Sequence, residues 1–405
     1  MFVTRAHVPV LGGALLVLSL AVAGCSTSSS SDAGNGTVSD VLKTQPTKAA
    51  APRPAMHANV APGATEVPVD RRISVSAQNA TFTSVAVTSK SGSVPGRMSA
   101  DKRSWTAGGL LEPGTSYTVR TSMTGESGRS VIRTSHFSTA ALTLDQQTYP
   151  SFFPLDGQTV GVGQPVSVKF DVPVTDKASI EKHLHVVTQP AQRGSWHWIS
   201  DNEVHWRPVH FWQPGTKVTV NADVNSVPAG NGIFGQLDRT ETFTIGASHI
   251  YKININTDQL RVYDNGQFVR QIPVTTGQQP NFTTRSGIKV ITEKLRHTRM
   301  NSETIGIDPH GPNGYNIGDV QYAMRLTYSG EFLHAAPWSV YAQGHENVSH
   351  GCTGMSTANA AWLYNHSLVG DVAEYTGTSN MMTLTNGFGD WNEPFSTYAQ
   401  GSALH

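Results

Sequence analysis

Three of the 16 histidines, His334, His345 and His350, fall within the 18 residues before Cys352, in Phe332-Leu-His334-Ala-Ala-Pro-Trp338 and Gly344-His345-Glu-Asn-Val-Ser349-His350-Gly351-Cys352. A cysteine attacks only as its thiolate, and its ordinary pKa of about 8.5 falls beside an imidazolium or a helix N-terminus. His334 or His350 can supply the first influence, and a helix opening just beyond Cys352 some of the second. Gly351 lets the backbone approach a substrate closely, and the Gly351 and Cys352 amides can point at a developing oxyanion. Two other readings of the same residues stay open. Zinc needs three or four ligands, which Cys352 with His334, His345 and His350 can provide, although two ligands spaced as in His350-Gly-Cys352 suit neither a usual loop nor a helix face. An inert buried cysteine is the other reading, and the polar, Gly-rich surroundings argue against it.

The elements that must hold these residues are mostly strands. Tyr251-Lys-Ile-Asn-Ile-Asn places Tyr251, Ile253 and Ile255 on one face. Leu260 to Tyr263, the turn Asp264-Asn265-Gly266 and Phe268 to Val274 form a hairpin, Asn-Gly being a strong turn signal. Thr275-Thr276-Gly277 closes it, and Gly287 to Ile291 starts another strand. The one convincing helix of this region runs from Thr357 to about His366, with Ser356 as N-cap, Ala360, Leu363 and Tyr364 on one face, and Gly370 stopping the run.

Upstream, the chain repeats itself. Trp105 is followed by Pro113-Gly114-Thr115 and Val119; 101 residues later, Trp206 is followed by Pro214-Gly215-Thr216 and Val220. Each copy opens on a Gly-x-Thr with alternating apolar residues: Gly63, Thr65, Val67, Val69, then Gly157, Thr159, Val160, Val162. Period-two alternation cut by Pro-Gly turns predicts two immunoglobulin-like β-sandwiches, so the fold class is mainly β. Neither copy holds a cysteine pair, which excludes an antibody-like disulfide. Trp196, Trp198, Trp206, Phe211 and Trp212 read as core or inter-domain packing, with a sugar-contacting surface as the rival.

Lys+Arg and Asp+Glu balance at 29 each, so net charge is zero, which argues against nucleic acid as a partner. Arg5 and an apolar run from Val8 to Ala23 describe an export signal, and Val22-Ala23-Gly24-Cys25 resembles a bacterial lipobox, an ordinary signal peptide with an incidental cysteine being the other reading. Beyond it no stretch reaches the about 20 apolar residues that span a membrane. Cys25 is then the lipid-bearing residue, and Ser26 to Pro54, poor in large apolar residues, a flexible tether with an end-to-end distance of about 30 Å. With Cys25 so used, Cys352 is the remaining thiol of the two cysteines.

Ser349-His350-Gly351-Cys352 following His334, with the upstream Val274-Thr-Thr-Gly277, resembles the active-site signature of YkuD-type L,D-transpeptidases, which remodel bacterial peptidoglycan. The resemblance is nearest to mycobacterial lipoprotein members with two immunoglobulin-like domains. It implies a signal peptide at 1–24, a lipidated tether at 25–55, sandwiches at 56–143 and 144–248, a β-rich catalytic domain at 249–378 and an extension at 379–405. Gly389-Asp-Trp391-Asn-Glu-Pro394 is similar to the tail that packs on the second sandwich of those members.

By the same resemblance Cys352 is the nucleophile on the third residue of a donor tetrapeptide stem, with D-Ala leaving and a thioester remaining. His334 is the general base, oriented by the Ala335 carbonyl, and His350 shapes the site. Tyr315, Met300, Ser329, Gly330, Ser349, Gly351, Gly354, Trp338 and Asn347 contact substrate; Trp338 and Asn347 carry a structural reading beside that one. The partners implied are the donor stem, an acceptor stem, the membrane through the lipid, and carbapenems, whose lactam mimics the donor. The place implied is the outer face of the cytoplasmic membrane. Thiol acyl transfer needs no cofactor and no metal. Three positions depart from the family: Thr353 and Gly354 follow the cysteine where an apolar residue and Asn or Arg are usual, and Ala335 stands for Gly or Ser.

Sortases need a downstream Arg and a strand pattern not evident here, and papain-like enzymes place Cys before His. An L,D-carboxypeptidase using the same thioester, and a wall-anchored scaffold without activity, are the alternatives.

Overall fold

The computed structural model describes residues 52–404. The signal segment, Cys25 and nearly all of the tether lie outside the described residues. Among those residues no helix is long and apolar enough to cross a membrane.

The first repeat forms two four-stranded sheets. One holds Ala55–Ala58, Ser74–Gln78, Ser104–Ala107 and Gly96–Met98; the other Gly92–Val94, Ala80–Ser89, Ser116–Gly125 and Ser130–Ser138. Alternation does the sorting: in Ser116–Gly125 every second residue from Tyr117 is buried. Phe82, Trp105, Val119 and Met123 join one core.

The second repeat is built alike, from Pro150–Phe153, Val166–Phe170, Glu203–Pro208 and Gly194–Trp198 facing Thr159–Val160, Arg239–Ile245, Lys217–Ala222 and Leu184–Gln189. The repeated tryptophan stands opposite a valine both times, Trp105 against Val75 and Trp206 against Val166. Gly114 and Gly215 turn the chain with φ of 57° and 78°, a region where a side chain is strained. Trp196, Trp198, Trp206 and Trp212 are all buried in the core and half-buried Phe211 packs against it, so the four tryptophans pack rather than face solvent.

In the last third, one sheet runs Gln267–Pro273, Gln259–Asp264, His249–Asn254, Val372–Thr376, Gly287–Val290. The other runs Glu293–Asn301, Asn316–Arg325, Phe332–Ala335, Thr353–Met355. Tyr251, Ile253 and Ile255 are buried on one face as expected, and the hairpin closes at Asn265-Gly266. The helix spans Thr357–His366, with the Ser356 side chain accepting from the Asn359 amide. Its Ala360 and Leu363 enter the core shared with Met324 and Leu333.

Backbone bonds join the second sandwich to this part of the chain. Gly161 N–H donates to Val369 O and Gly163 N–H to Gly370 O, both at 2.8 Å. A Cβ on Gly161 would stand 2.3 Å from the Asp371 nitrogen, so only glycine permits the approach.

The C-terminal residues then run across both bodies. The Asn386 amide accepts from Ser329 N–H and donates to Ser329 Oγ, each at 2.9 Å. Asn392 bonds the backbone N–H and C=O of Ile288, and Trp391 Nε1 donates to Gly163 O. The Arg207 guanidinium lies over the rings of Trp391, Phe395 and Tyr398, 4.3–5.3 Å from their centroids, and donates to Glu393 O.

Beside it, buried His205 donates from Nδ1 to Asp390 and from Nε2 to Glu203, both at 2.9 Å. Burial opposes the charge, but the Asp390 and Glu203 carboxylates outweigh it and push His205 up to about 9. That lies above the ordinary 6.5 of an unfolded histidine, so its stabilisation is complete below about pH 6.5 and is lost as pH passes about 9. Thermal melts followed by circular dichroism between pH 6 and 10 are expected to show this fall in the wild type, and His205→Gln to lack it.

Candidate active site

His334 and Cys352 meet through a parallel strand pair. Phe332–Ala335, buried at all four positions, runs beside Thr353–Met355 with His334 opposite Gly354. Side chains two apart on a strand share a face, so Cys352, just ahead of its strand, looks the same way as His334. The loop before Cys352 is pinned by the block that ends the hairpin. Thr275 exchanges both backbone bonds with Gly354 at 2.9 Å, Ser349 N–H donates to Thr276 O, and Gln278 N–H donates to Ser349 O.

Within that loop Ser349 holds the turn: its hydroxyl donates to Cys352 O at 2.6 Å and accepts from Gly351 N–H at 3.1 Å. Gly351 has φ of 122°, in the region that favours glycine.

His334 is 5% exposed. Its Nδ1–H donates to Ala335 O at 2.7 Å, which fixes the tautomer and leaves the Nε2 lone pair with no partner among the described residues. Burial draws its pKa below 6.5, so the ring is neutral near pH 7. Trp338 stacks on it at 5.9 Å between centroids.

The Cys352 thiol donates to Gly330 O at 3.4 Å. Burial pushes it up to about 12, with the Phe332 amide pulling the other way. The expected imidazolium beside a thiolate is therefore not the resting state, since both groups are held uncharged. Nor does a helix open directly after Cys352; Thr353–Met355 intervenes before the helix starts at Thr357. The Gly351 amide, engaged by Ser349, does not face an oxyanion, whereas the Cys352 amide has no partner among the described residues.

Two cavities meet at His350. One, of about 300 Å³, is lined by Met300, Tyr315, His334, Trp338, Ser349, Cys352 and Gly354 among others. The other, of about 600 Å³, is lined by Phe282, Arg285, Ser329, Gly330, Glu331 and Gly351 among others. His350 lines both, held between the rings of Phe282 at 4.3 Å and Tyr315 at 4.9 Å. Burial, with the Cys352 charge second, raises Tyr315 to about 12, so its hydroxyl keeps its proton and can donate.

Asn347 does not join the site. Its side chain accepts from the Thr276 backbone N–H and hydroxyl and donates to Ile255 O, so it holds strands together. His345 is exposed and lines neither cavity. The zinc arrangement is not assembled around Cys352. Among the described residues the cluster with metal-like spacing is His249, Asp264 and His366, already engaged as His366–Asp264 and His249–Asp371 pairs at 2.9 Å.

Sequence reasoning passed over the residues behind the nucleophile. Thr353 Oγ1 bonds the Tyr375 hydroxyl at 2.7 Å, and buried Lys289 pairs with Glu331 at 2.5 Å. A lysine in the middle of Gly287-Ile-Lys-Val-Ile, an otherwise apolar strand, is the signal that pointed there.

The profile of the bacterial Ig domain matches residues 64–228, and that of the L,D-transpeptidase catalytic domain residues 248–374. L,D-transpeptidase 2 of Mycobacterium tuberculosis is 37% identical over 352 residues, covering 86% of this chain and 85% of the relative. L,D-transpeptidase 5 of the same species is 34% identical over 362 residues, covering 87% and 78%. A solved L,D-transpeptidase in complex with imipenem is 36% identical, covers 56% of this chain and 97% of its own, and has a TM-score of 0.49.

Gly354 is fixed by packing: a Cβ there would stand 2.8 Å from Ala336 Cβ and 3.3 Å from Thr275 Cγ2. Gly354→Ala is expected to lower stability by about 1–3 kcal/mol in urea titrations, through overpacking. Adding Ala336→Gly is expected to return part of that loss.

Proposed function

The chain belongs to the L,D-transpeptidase family and is a peptidoglycan L,D-transpeptidase, and from that premise we propose how its residues divide the work. The observation that carries the reading is an imidazole held through Nδ1 by the Ala335 carbonyl with Nε2 left free, on the face of the sheet shared with a cysteine. His334 Nε2 takes the Cys352 proton as sulfur attacks the carbonyl of the third stem residue. The oxyanion receives the Cys352 amide and the Tyr315 hydroxyl. His334 returns the proton to the leaving D-Ala amine, and a thioester remains on Cys352. It then takes a proton from the side-chain amine of a neighbouring stem, which attacks the thioester and forms a bond between third residues.

A charge-neutral pair at rest suits this sequence, because the thiolate is formed only as substrate closes the site. Cavities on both sides of His350, of which the first is lined by Cys352 itself and the second by its neighbour Gly351, suit a donor and an acceptor on separate sides. Met300, Trp338 and Gly354 border one, Ser329 and Gly330 the other. A carbapenem lactam is a strained carbonyl and acylates Cys352 by the first half of the same route.

The N-terminal signal supports a further reading, in which Cys25 carries lipid and residues 25–55 tether the protein to the outer face of the cytoplasmic membrane. The sandwiches, 56–143 and 144–248, then stand between that anchor and a catalytic domain at 249–378.

The test is mass spectrometry of the chain from residue 52 after incubation with a disaccharide-tetrapeptide, beside Cys352→Ala. The expected product is a dimer lighter than two monomers by one D-Ala, absent from the variant and unaffected by chelator. Free tripeptide without dimer assigns hydrolysis instead, and dimer made by Cys352→Ala overturns the nucleophile.

A further inference from the structure

Two charged side chains lie behind the nucleophile, Lys289 wholly buried and Glu331 at the edge of the second cavity. Lys289 has no exposed surface and Glu331 is 5% exposed. Their Nζ and Oε2 are 2.5 Å apart. Glu331 follows Gly330, whose carbonyl receives the Cys352 thiol proton, and its Cγ lies 3.7 Å from where a Cβ on Gly351 would stand. Lys289 Nζ is also 3.7 Å from the centroid of the Tyr375 ring, and the Tyr375 hydroxyl bonds Thr353, the residue after the nucleophile. Arg285 supplies a second cation to Glu331, through Nη1 at 3.2 Å.

Removing an ammonium from water costs several kcal/mol, and a hydrophobic residue of similar volume would fill this strand position without that cost. The charge therefore needs a reason beyond packing. A lone Glu331 beside the sulfur would oppose formation of a thiolate. One carboxylate with two cations sums to a positive charge, which favours it. The other titratable or charged groups around Cys352 are His334 from its own strand pair, His350 from the loop before it, Tyr315 across the cavity and Arg325 from Asn316–Arg325. His334 and His350 are drawn below 6.5 by burial and are neutral near pH 7, and Tyr315 keeps its proton.

We propose that Lys289 is a positioning residue for Cys352: it cancels Glu331, leaves a field that favours the thiolate as His334 takes the proton, and braces the backbone after the cysteine through Tyr375 and Thr353. The inference rests on Cys352 being the nucleophile, yet it is tested without the transpeptidation assay. Burial draws Lys289 down to about 8, with Glu331 holding it up, so the ammonium is charged at pH 7.

The experiment measures the rate of iodoacetamide alkylation of Cys352 between pH 5.5 and 9, by mass spectrometry on the chain from residue 52. Thermal melts establish that each variant is folded. Lys289→Met is expected to slow alkylation at pH 7 about tenfold, the effect of about one unit in thiol pKa. Lys289→Arg is expected to restore most of the rate, and Glu331→Gln to match or exceed the wild type. Opposite directions for the Met and Gln variants identify a charge effect. A folded Lys289→Met that alkylates at the wild-type rate overturns the proposal, as does a Glu331→Gln that slows as much as Lys289→Met. Cross-linking is measured in parallel. A wild type that alkylates but forms no dimer overturns the catalytic reading and leaves the alkylation comparison to decide this one.

Discussion

The site depends on a short parallel ladder between Phe332–Ala335 and Thr353–Met355. Two residues 18 positions apart in the chain cannot be held on one face by local structure. The ladder does it by setting His334 opposite Gly354, which fixes where Cys352 enters. Because side chains alternate along a strand, a slip of one residue would turn the imidazole away from the sulfur. The register is secured from outside the ladder as well, by the paired bonds of Thr275 to Gly354 and by Ser349 against Thr276. Glycine at 354 follows from this crowding, since the strand, Thr275 and Ala336 converge where a side chain would begin.

The electrostatics of the site follow from burial. A half-buried thiol and a buried imidazole both resist charge, and burial favours the uncharged pair. The cost of charging is met only when substrate is present to share the negative charge, and the groups available to do so are an amide, a phenol that keeps its proton and the cations around Glu331.

Much of this was legible in the sequence. The repeat at 101 residues, the tryptophans that anchor it, the Asn265-Gly266 hairpin and the helix after Ser356 are local patterns, and local patterns survive without a structure. His334 and Cys352 stood out because reactive residue types clustered. The remainder depends on contacts that no local pattern encodes. Asn386 reaches Ser329 across 57 residues, and Lys289 reaches Glu331 across 42. The Gly351 amide was misread for a different reason: the partner that claims it is a serine hydroxyl only two residues away, and a serine in a signature is easily taken for a substrate contact.

Gly161, pressed against the Asp371 backbone, bears on how the molecule searches for its substrate. An enzyme hinged between its domains can sweep its active site through a volume and sample partners by its own motion. Here strand-like bonds cross the junction and the C-terminal segment runs over it, so the catalytic cleft and the second sandwich turn together. The orientation of the cleft is set once, by the orientation of the whole body. Bringing two stems to one sulfur then falls to the pliability of the polymer and to the turning of cleft and second sandwich as one piece.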